Sequence, residues 1–212
     1  MNSIRRGTAL CNCTLEDHPP LMIALTGGPG AGKTAVLELA TRTFCKHIVV
    51  LPEAASIIFG NGFPRKNGDI AKAAQRVIFH WQREIEHVIL AHETDVAAIL
   101  CDRGTVDGLA YWNGPKETFF DQFGTSLAEE TSHYAAVVHL HTPDRKNGYN
   151  KQNELRNETP EEAQIIDEHI FEAWRLHPNR IEVHNTPDFL DKATTALQIV
   201  RDLIPDCCDS VK

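Results

Sequence analysis

The sequence has no apolar run approaching the ~20 residues that a membrane-spanning helix needs. Its opening stretch, MNSIRRGTALCNCTLEDHPP, carries two arginines but no continuous apolar segment, so no secretory leader is expected. No two of the six cysteines form a CxxC pair. Cys11 and Cys13 lie near one end, Cys207 and Cys208 near the other, and Cys45 and Cys101 stand between, a spacing that suits no zinc motif. Reduced thiols in a soluble cytoplasmic protein are the expectation. Basic charge is also short. With 21 Lys+Arg against 29 Asp+Glu, the net charge of −8 argues against a general nucleic-acid binder, which needs a basic surface to displace counterions.

What is present is an ordinary globular mixture, 42% hydrophobic and 24% charged over 212 residues, enough for one α/β domain with its own core. No internal repeat, low-complexity tract or linker divides it. Short apolar runs at Leu21 to Leu25, His47 to Leu51, Val96 to Cys101, Ala135 to Leu140 and Arg180 to His184 predict buried strands. Helical patterns alternate with them. Val77, Ile78, Trp81, Ile85, Val88 and Ile89 predict the buried face of a long helix. Thr159-Pro160-Glu161-Glu162 predicts a capped helix start, and Thr186-Pro187 predicts another. Alternation of this kind implies a parallel sheet with helices on both faces. The expected limits are a loose arm over 1–19, the domain over 20–205 and a tail over 206–212.

The stretch TGGPGAGKT, Thr26 to Thr34, sits between a predicted strand and a predicted helix. Gly27-x-x-x-x-Gly32-Lys33-Thr34 matches the P-loop pattern at every fixed position. Glycines let backbone N–H groups converge on phosphate oxygens, and the helix that follows adds its positive end. Gly28, Pro29, Gly30, Ala31, Gly32, Lys33, Thr34 and Ala35 are therefore expected to hold ATP or GTP. Lys33 reaches the β- and γ-phosphates in this reading, and Thr34 helps hold Mg²⁺. Asp102, at the carboxyl end of the third strand, supplies the complementary carboxylate for Mg²⁺. Arg103 beside it is read as a phosphate or substrate contact.

Three features point to an acceptor other than water. Glu53, after the second strand, is placed to take a proton from a substrate hydroxyl. The polar segment Thr142 to Glu158 carries Arg145, Lys146, Lys151 and Arg156, with Gly148 as a pivot, and reads as a basic lid. Asp107 is held open as a substrate contact, while Trp112 is read as core. His139 and His141 lie two apart on one strand face; without a third ligand in view, they are read as structural.

The strings GGPGAGKT, LPEAA, CDRGTVDGLAYW and HLHTP…NGYN…ELRNE…EEA…DEHIFEAWRLHP…RIEVHN resemble a known family. It is the AAA-like P-loop domain shared by the nicotinamide riboside kinase part of NadR regulators and by the TRPL translocation defect protein. The resemblance runs roughly from Leu21 to Ile204. It implies a three-layer α/β/α P-loop fold of nucleoside-kinase type, with a five-stranded parallel sheet in the order 2-3-1-4-5. It implies Lys33, Thr34 and Asp102 as nucleotide and Mg²⁺ residues, Glu53 as base, and Arg103, Arg145 and Arg156 as a charge clamp. The loop around Asn185 is implied as a place for the purine. Two activities follow from such a mixed family. One is a Mg²⁺-dependent kinase acting on a small hydroxyl acceptor such as a nucleoside; the other is a slow nucleotide-hydrolysing switch. Either is compatible with a homodimer.

Overall fold

The computed structural model describes residues 3–11, 13, 19–93, 95–143 and 158–208. Strands β1 (Arg5–Arg6), β2 (Leu21–Thr26), β3 (Ile48–Leu51), β4 (Ala98–Asp102), β5 (Ala136–Leu140) and β6 (Arg180–Val183) form one sheet. Its order is β1-β3-β4-β2-β5-β6. The five strands β2 to β6 pair in parallel in the expected order, but the sheet has six strands rather than five, because antiparallel β1 adds to its edge. The central strands β3, β4 and β5 are buried along their whole length. That is why they read as unbroken apolar runs rather than alternating ones.

Two expectations at the chain ends change. The arm is not loose throughout: Arg5 and Arg6 pair antiparallel with Val50 and Val49 as the outermost strand. The N–H groups of Gly7, Thr8 and Ala9 then reach the carbonyls of Ile48, Thr41 and Phe44. Paired backbone at a sheet edge satisfies donors that a free strand would leave in water and blunts the edge. In the tail, Asp206–Cys208 form a 3-10 turn and Cys208 is buried.

Helices α1 (Lys33–Thr43), α2 (Ala54–Gly60), α3 (Asp69–His92), α4 (Glu117–Asp121), α5 (Leu127–Ser132), α6 (Pro160–Ala173) and α7 (Phe189–Leu203) cover the two faces. Helices α1 and α7 pack on one face through Val36, Leu37, Ala40, Ala193, Ala196 and Val200. The other face meets Phe79, Phe119, Ile170 and Trp174. Each such branched or aromatic side chain withdrawn from water contributes roughly 1.5–3 kcal/mol.

The buried stripe of α3 differs from the one expected. It consists of Ala74, Phe79, Gln82, Glu86 and Ile89, while Val77 and Val88 are exposed. Apolar spacing chose a face rotated from the true one because two polar residues are buried here for reasons of their own. The capping box at Thr159 and Glu162 forms with both hydrogen bonds. The last helix starts later than Thr186-Pro187 suggested, with Asp188 as cap, and Phe189 and Leu190 lie at its exposed start. Among the described residues no helix is long and apolar enough to cross a membrane.

Candidate active site

Strand β2 lies between β4 and β5, and the carboxyl ends of these strands open one crevice. Ligands in open α/β sheets bind at such a switch point. The loop leaving β2 is Gly27 to Gly32, and Gly32 caps α1 with φ of 95°. A side chain there would be strained and would strike the Phe189 ring. At Gly28 an added Cβ would meet Thr142, Ala163 and Asp167. The loop is thus packed from behind as well as open in front. Lys33 is buried and donates from Nζ to the carbonyls of Gly27 at 2.8 Å and Gly28 at 3.0 Å. Burial and the Arg103 guanidinium hold its ammonium down at about 8.

The bracing comes from residues that sequence spacing did not single out. Asp167 on α6 accepts the Gly28 N–H at 2.5 Å and the Thr142 hydroxyl at 3.2 Å through Oδ1. Its Oδ2 lies 3.1 Å from His141 Nδ1. Here is the third partner for the two histidines: His139 Nε2 stands 3.3 Å from Asp167, though not aligned for a hydrogen bond. The third group that the sequence did not show beside the two histidines is thus present, and it is the same carboxylate that hydrogen-bonds the P-loop. Lys192 on α7, also buried, donates to the carbonyls of Ala31 and His141 and to Asn185 Oδ1. Both residues carry a weak sequence signal. Asp167 interrupts the stripe Ala163 and Ile170, and Lys192 stands beside Ala193 on the buried side of α7.

At the front, Thr34 Oγ1 lies 3.3 Å from Asp102 Oδ2. Asp102 Oδ1 is buried without a hydrogen-bond partner, and burial together with the Glu53 carboxylate pushes its pKa up to about 6. An orphaned buried carboxylate oxygen beside a threonine hydroxyl fits a hard, oxygen-seeking cation such as Mg²⁺.

Arg103 organises the opposite wall. It has φ of 78°, rare for a side chain of its size. Its Nε donates to Glu53 Oε1 at 2.6 Å, and Nη1 donates to the Gly27 carbonyl at 3.0 Å and to Asp107 Oδ2 at 3.1 Å. Asp107 also accepts from Thr26 and, at 2.6 Å, from the Trp174 indole. Asp107, held open as a substrate contact, lines the cavity but is engaged by Arg103, Thr26 and Trp174. Burial pushes the Glu53 carboxyl up, but Arg103 and Lys33 outweigh it and hold it at about 2. Ser56 donates to its other oxygen. Glu53 is an ionised acceptor at any ordinary pH.

Beyond this pair lies a cavity of about 300 Å³, continuous with Lys33, Thr34 and Asp102. Phe59, Phe79, Tyr111 and Phe119 wall it, and Gln75, Gln82 and Arg65 add polar groups. Its lining is about evenly polar and apolar, with most of the charged groups gathered toward the P-loop; aromatic walls beside placed polar groups suit a small, polar ligand. Trp112 packs against the neighbouring core, its indole donating to Thr118 at 3.0 Å, as expected.

Of the sequence-derived candidates, Gly28, Pro29, Gly30, Ala31, Gly32, Lys33, Thr34 and Ala35 form the loop and the start of α1, and Glu53, Asp102 and Arg103 converge beside it. Asn185 is tied to Lys192 and, at 3.0 Å, to the Thr142 carbonyl. Arg145 and Arg156, with the rest of the expected lid over 144–157, lie outside the described residues.

A family model described as an AAA domain matches residues 22–191. No curated protein matches the chain in sequence. Among solved structures, thymidylate kinase from Candida albicans superposes with a TM-score of 0.58 at 15% identity, covering 87% of this chain and 92% of that one. Deoxyadenosine kinase from M. mycoides, solved with bound dATP, gives 0.52 at 12% identity, covering 85% of this chain and 99% of that one. The fold is shared with these P-loop kinases.

Proposed function

The chain belongs to the AAA-domain family, and we propose that this member is a Mg²⁺-dependent phosphotransferase, moving the γ-phosphate of ATP or GTP to a hydroxyl of a small acceptor such as a nucleoside. The observation that carries this reading is the Glu53–Arg103 pair, standing where the P-loop meets the aromatic-walled cavity. The cavity runs on past the phosphate residues to Phe59, Tyr111 and Phe119, which leaves room for an acceptor beside the nucleotide. The fold shared with a thymidylate kinase and a deoxyadenosine kinase supports an acceptor of nucleoside type.

Each residue has a role in this proposal. The loop N–H groups and Lys33 hold the phosphates, Lys33 leaving its two carbonyl partners to do so. Thr34 and Asp102 would hold Mg²⁺, whose chemistry is to neutralise charge on the phosphates. Arg103 faces the charge that develops on the transferred group, kept in place by Asp107. Glu53 accepts the hydrogen bond of the acceptor hydroxyl and orients its oxygen for attack. A carboxylate with so low a pKa takes the proton late, which suits a loose transition state in which positioning dominates. Arg145 and Arg156 complete the clamp in this reading.

The test is to follow labelled γ-phosphate from Mg²⁺–ATP and Mg²⁺–GTP, with and without a pool of nucleosides and other small hydroxyl compounds. Label in a new organic phosphate is expected. Label released only as inorganic phosphate, at a rate indifferent to the pool, would overturn the proposal and favour the nucleotide switch.

A further inference from the structure

Cysteines that stand at opposite ends of the sequence meet on the side of the fold away from the crevice. The arm brings Cys11 and Cys13, the turn between α1 and β3 brings Cys45 and His47, and the final 3-10 turn brings Cys208. Cys45, His47 and Cys208 are buried, and Cys11 and Cys13 are partly so. The ligand atoms of Cys11, Cys45 and His47 lie within 4.8 Å of one another, and so do those of Cys13, His47 and Cys208. His47 belongs to both groups.

The two sulfur–nitrogen spacings at His47 match edges of a metal polyhedron. A tetrahedral ion with bonds of about 2.3 Å to sulfur and about 2.0 Å to nitrogen sets sulfurs about 3.8 Å apart and sulfur–nitrogen pairs about 3.5 Å apart. Cys11 Sγ and Cys45 Sγ stand 3.3 and 3.6 Å from His47 Nδ1, and Cys13 Sγ stands 3.7 Å from Cys208 Sγ. Buried thiols are common as small apolar residues. Two of them converging on one imidazole nitrogen, with two more close by, is not accounted for by packing alone.

We propose that Cys11, Cys45 and His47, with one sulfur of the Cys13–Cys208 pair, form a closed structural site for a zinc-type divalent ion. Binding replaces the thiol protons, which leave to solvent, with metal–sulfur bonds, and no oxidant or reductant is needed. Four protein ligands leave no open position, so the site is structural rather than catalytic. Its position gives it a purpose. It pins the arm to the end of α1, the helix whose first turn carries Lys33 and Thr34. Because an unfolded chain has no such site, the ion's binding energy becomes folding stability. The proposal stands apart from the phosphotransfer reading and needs no activity to be tested.

The experiment is elemental analysis of the full chain purified with reductant and without chelator, followed by titration of the chelator-stripped protein with Co²⁺. About one zinc per chain is expected, lost in Cys11→Ser, in Cys45→Ser and in the double variant Cys13→Ser/Cys208→Ser. It should be retained in Cys101→Ser, a buried thiol outside the cluster. Stripping the metal should lower the melting temperature. In the wild type, Co²⁺ should give the visible bands of a tetrahedral site and a sulfur-to-cobalt charge-transfer band of thiolate intensity. That readout stands even if a variant fails to fold. Absence of both stoichiometric zinc and the cobalt–thiolate band would overturn the site. So would a chain isolated with Cys13 and Cys208 already joined as a disulfide, or zinc that survives loss of Cys11 and Cys45.

Discussion

The backbone N–H of Gly28 donates to the carboxylate of Asp167, 139 residues further along the chain, at 2.5 Å. One wall of the phosphate loop is therefore held by a buried acid on α6 rather than by the loop itself. Asp167→Ala removes the side-chain acceptor of the Gly28 amide and one partner each from the Thr142 hydroxyl and His141. The expected loss of stability is about 3 kcal/mol, the cost of breaking a buried, charge-assisted cluster. Nucleotide affinity should fall roughly tenfold or more in the fraction that folds, equivalent to about 1.4 kcal/mol. Asp167→Asn, which keeps an acceptor for Gly28, should be milder on both counts. Chemical denaturation and nucleotide titration by calorimetry check this.

The Glu53–Arg103 pair separates binding from transfer. Glu53→Gln should keep nucleotide affinity within roughly threefold while acceptor phosphorylation falls roughly 10²–10⁴-fold. Arg103→Lys should also lose transfer, because one ammonium cannot serve Glu53, the Gly27 carbonyl and Asp107 from the same fork. Initial rates with labelled nucleotide, alongside equilibrium binding, read the two effects apart. Retained transfer in Glu53→Gln removes Glu53 from the mechanism.

Of the two histidines behind the P-loop, His141 holds a proton more tightly than His139. The hydrogen bond to Asp167 raises the His141 pKa, with Glu182 adding to it, whereas burial lowers that of His139. Around His141 stand His139 on its own strand, Asp167 on α6, and Glu182 and His184 from β6 and its end, with the Lys192 ammonium on its carbonyl. A raised folded-state pKa means stabilisation that is complete below the unfolded value near 6.5 and is lost as pH rises through the folded value. Stability should therefore fall as pH rises above about 6.5. In His141→Asn the slope should flatten, measured by melting temperature across pH.

Glu86 predicts a slope of the same sign from another place. It is fully buried, accepts from Gln82 and Tyr134 at 2.7 Å, and leaves Oε2 without a partner. Burial pushes its pKa up to about 7. Because the folded state binds this proton more tightly than the unfolded one, stability is lost from about pH 4.5 to about pH 7. The loss is about 3 kcal/mol at most, reached above that window. Glu86→Gln should remove it and raise the melting temperature at pH 8 relative to the wild type. Denaturant midpoints at pH 5 and pH 8 test the difference.

The sequence by itself determined whatever depends on neighbours along the chain. The P-loop is one contiguous segment whose glycines, lysine and threonine act through local backbone geometry, so its chemistry was legible at once. Glu53 and Asp102 were legible because each follows a buried strand, and parallel strands present their carboxyl ends to one crevice. The arm and the stripe of α3 misled, because pairing at a sheet edge and burial of Gln82 and Glu86 are rewarded only by partners elsewhere. Only the tertiary structure decided that Asp167 and Lys192 brace the loop, that Asp107 serves Arg103, and that Cys11, Cys45, His47 and Cys208 converge. Each of these depends on side chains from separate elements meeting within hydrogen-bond or ligand distance. No spacing along the chain encodes such a meeting; the packing of helices on the sheet creates it.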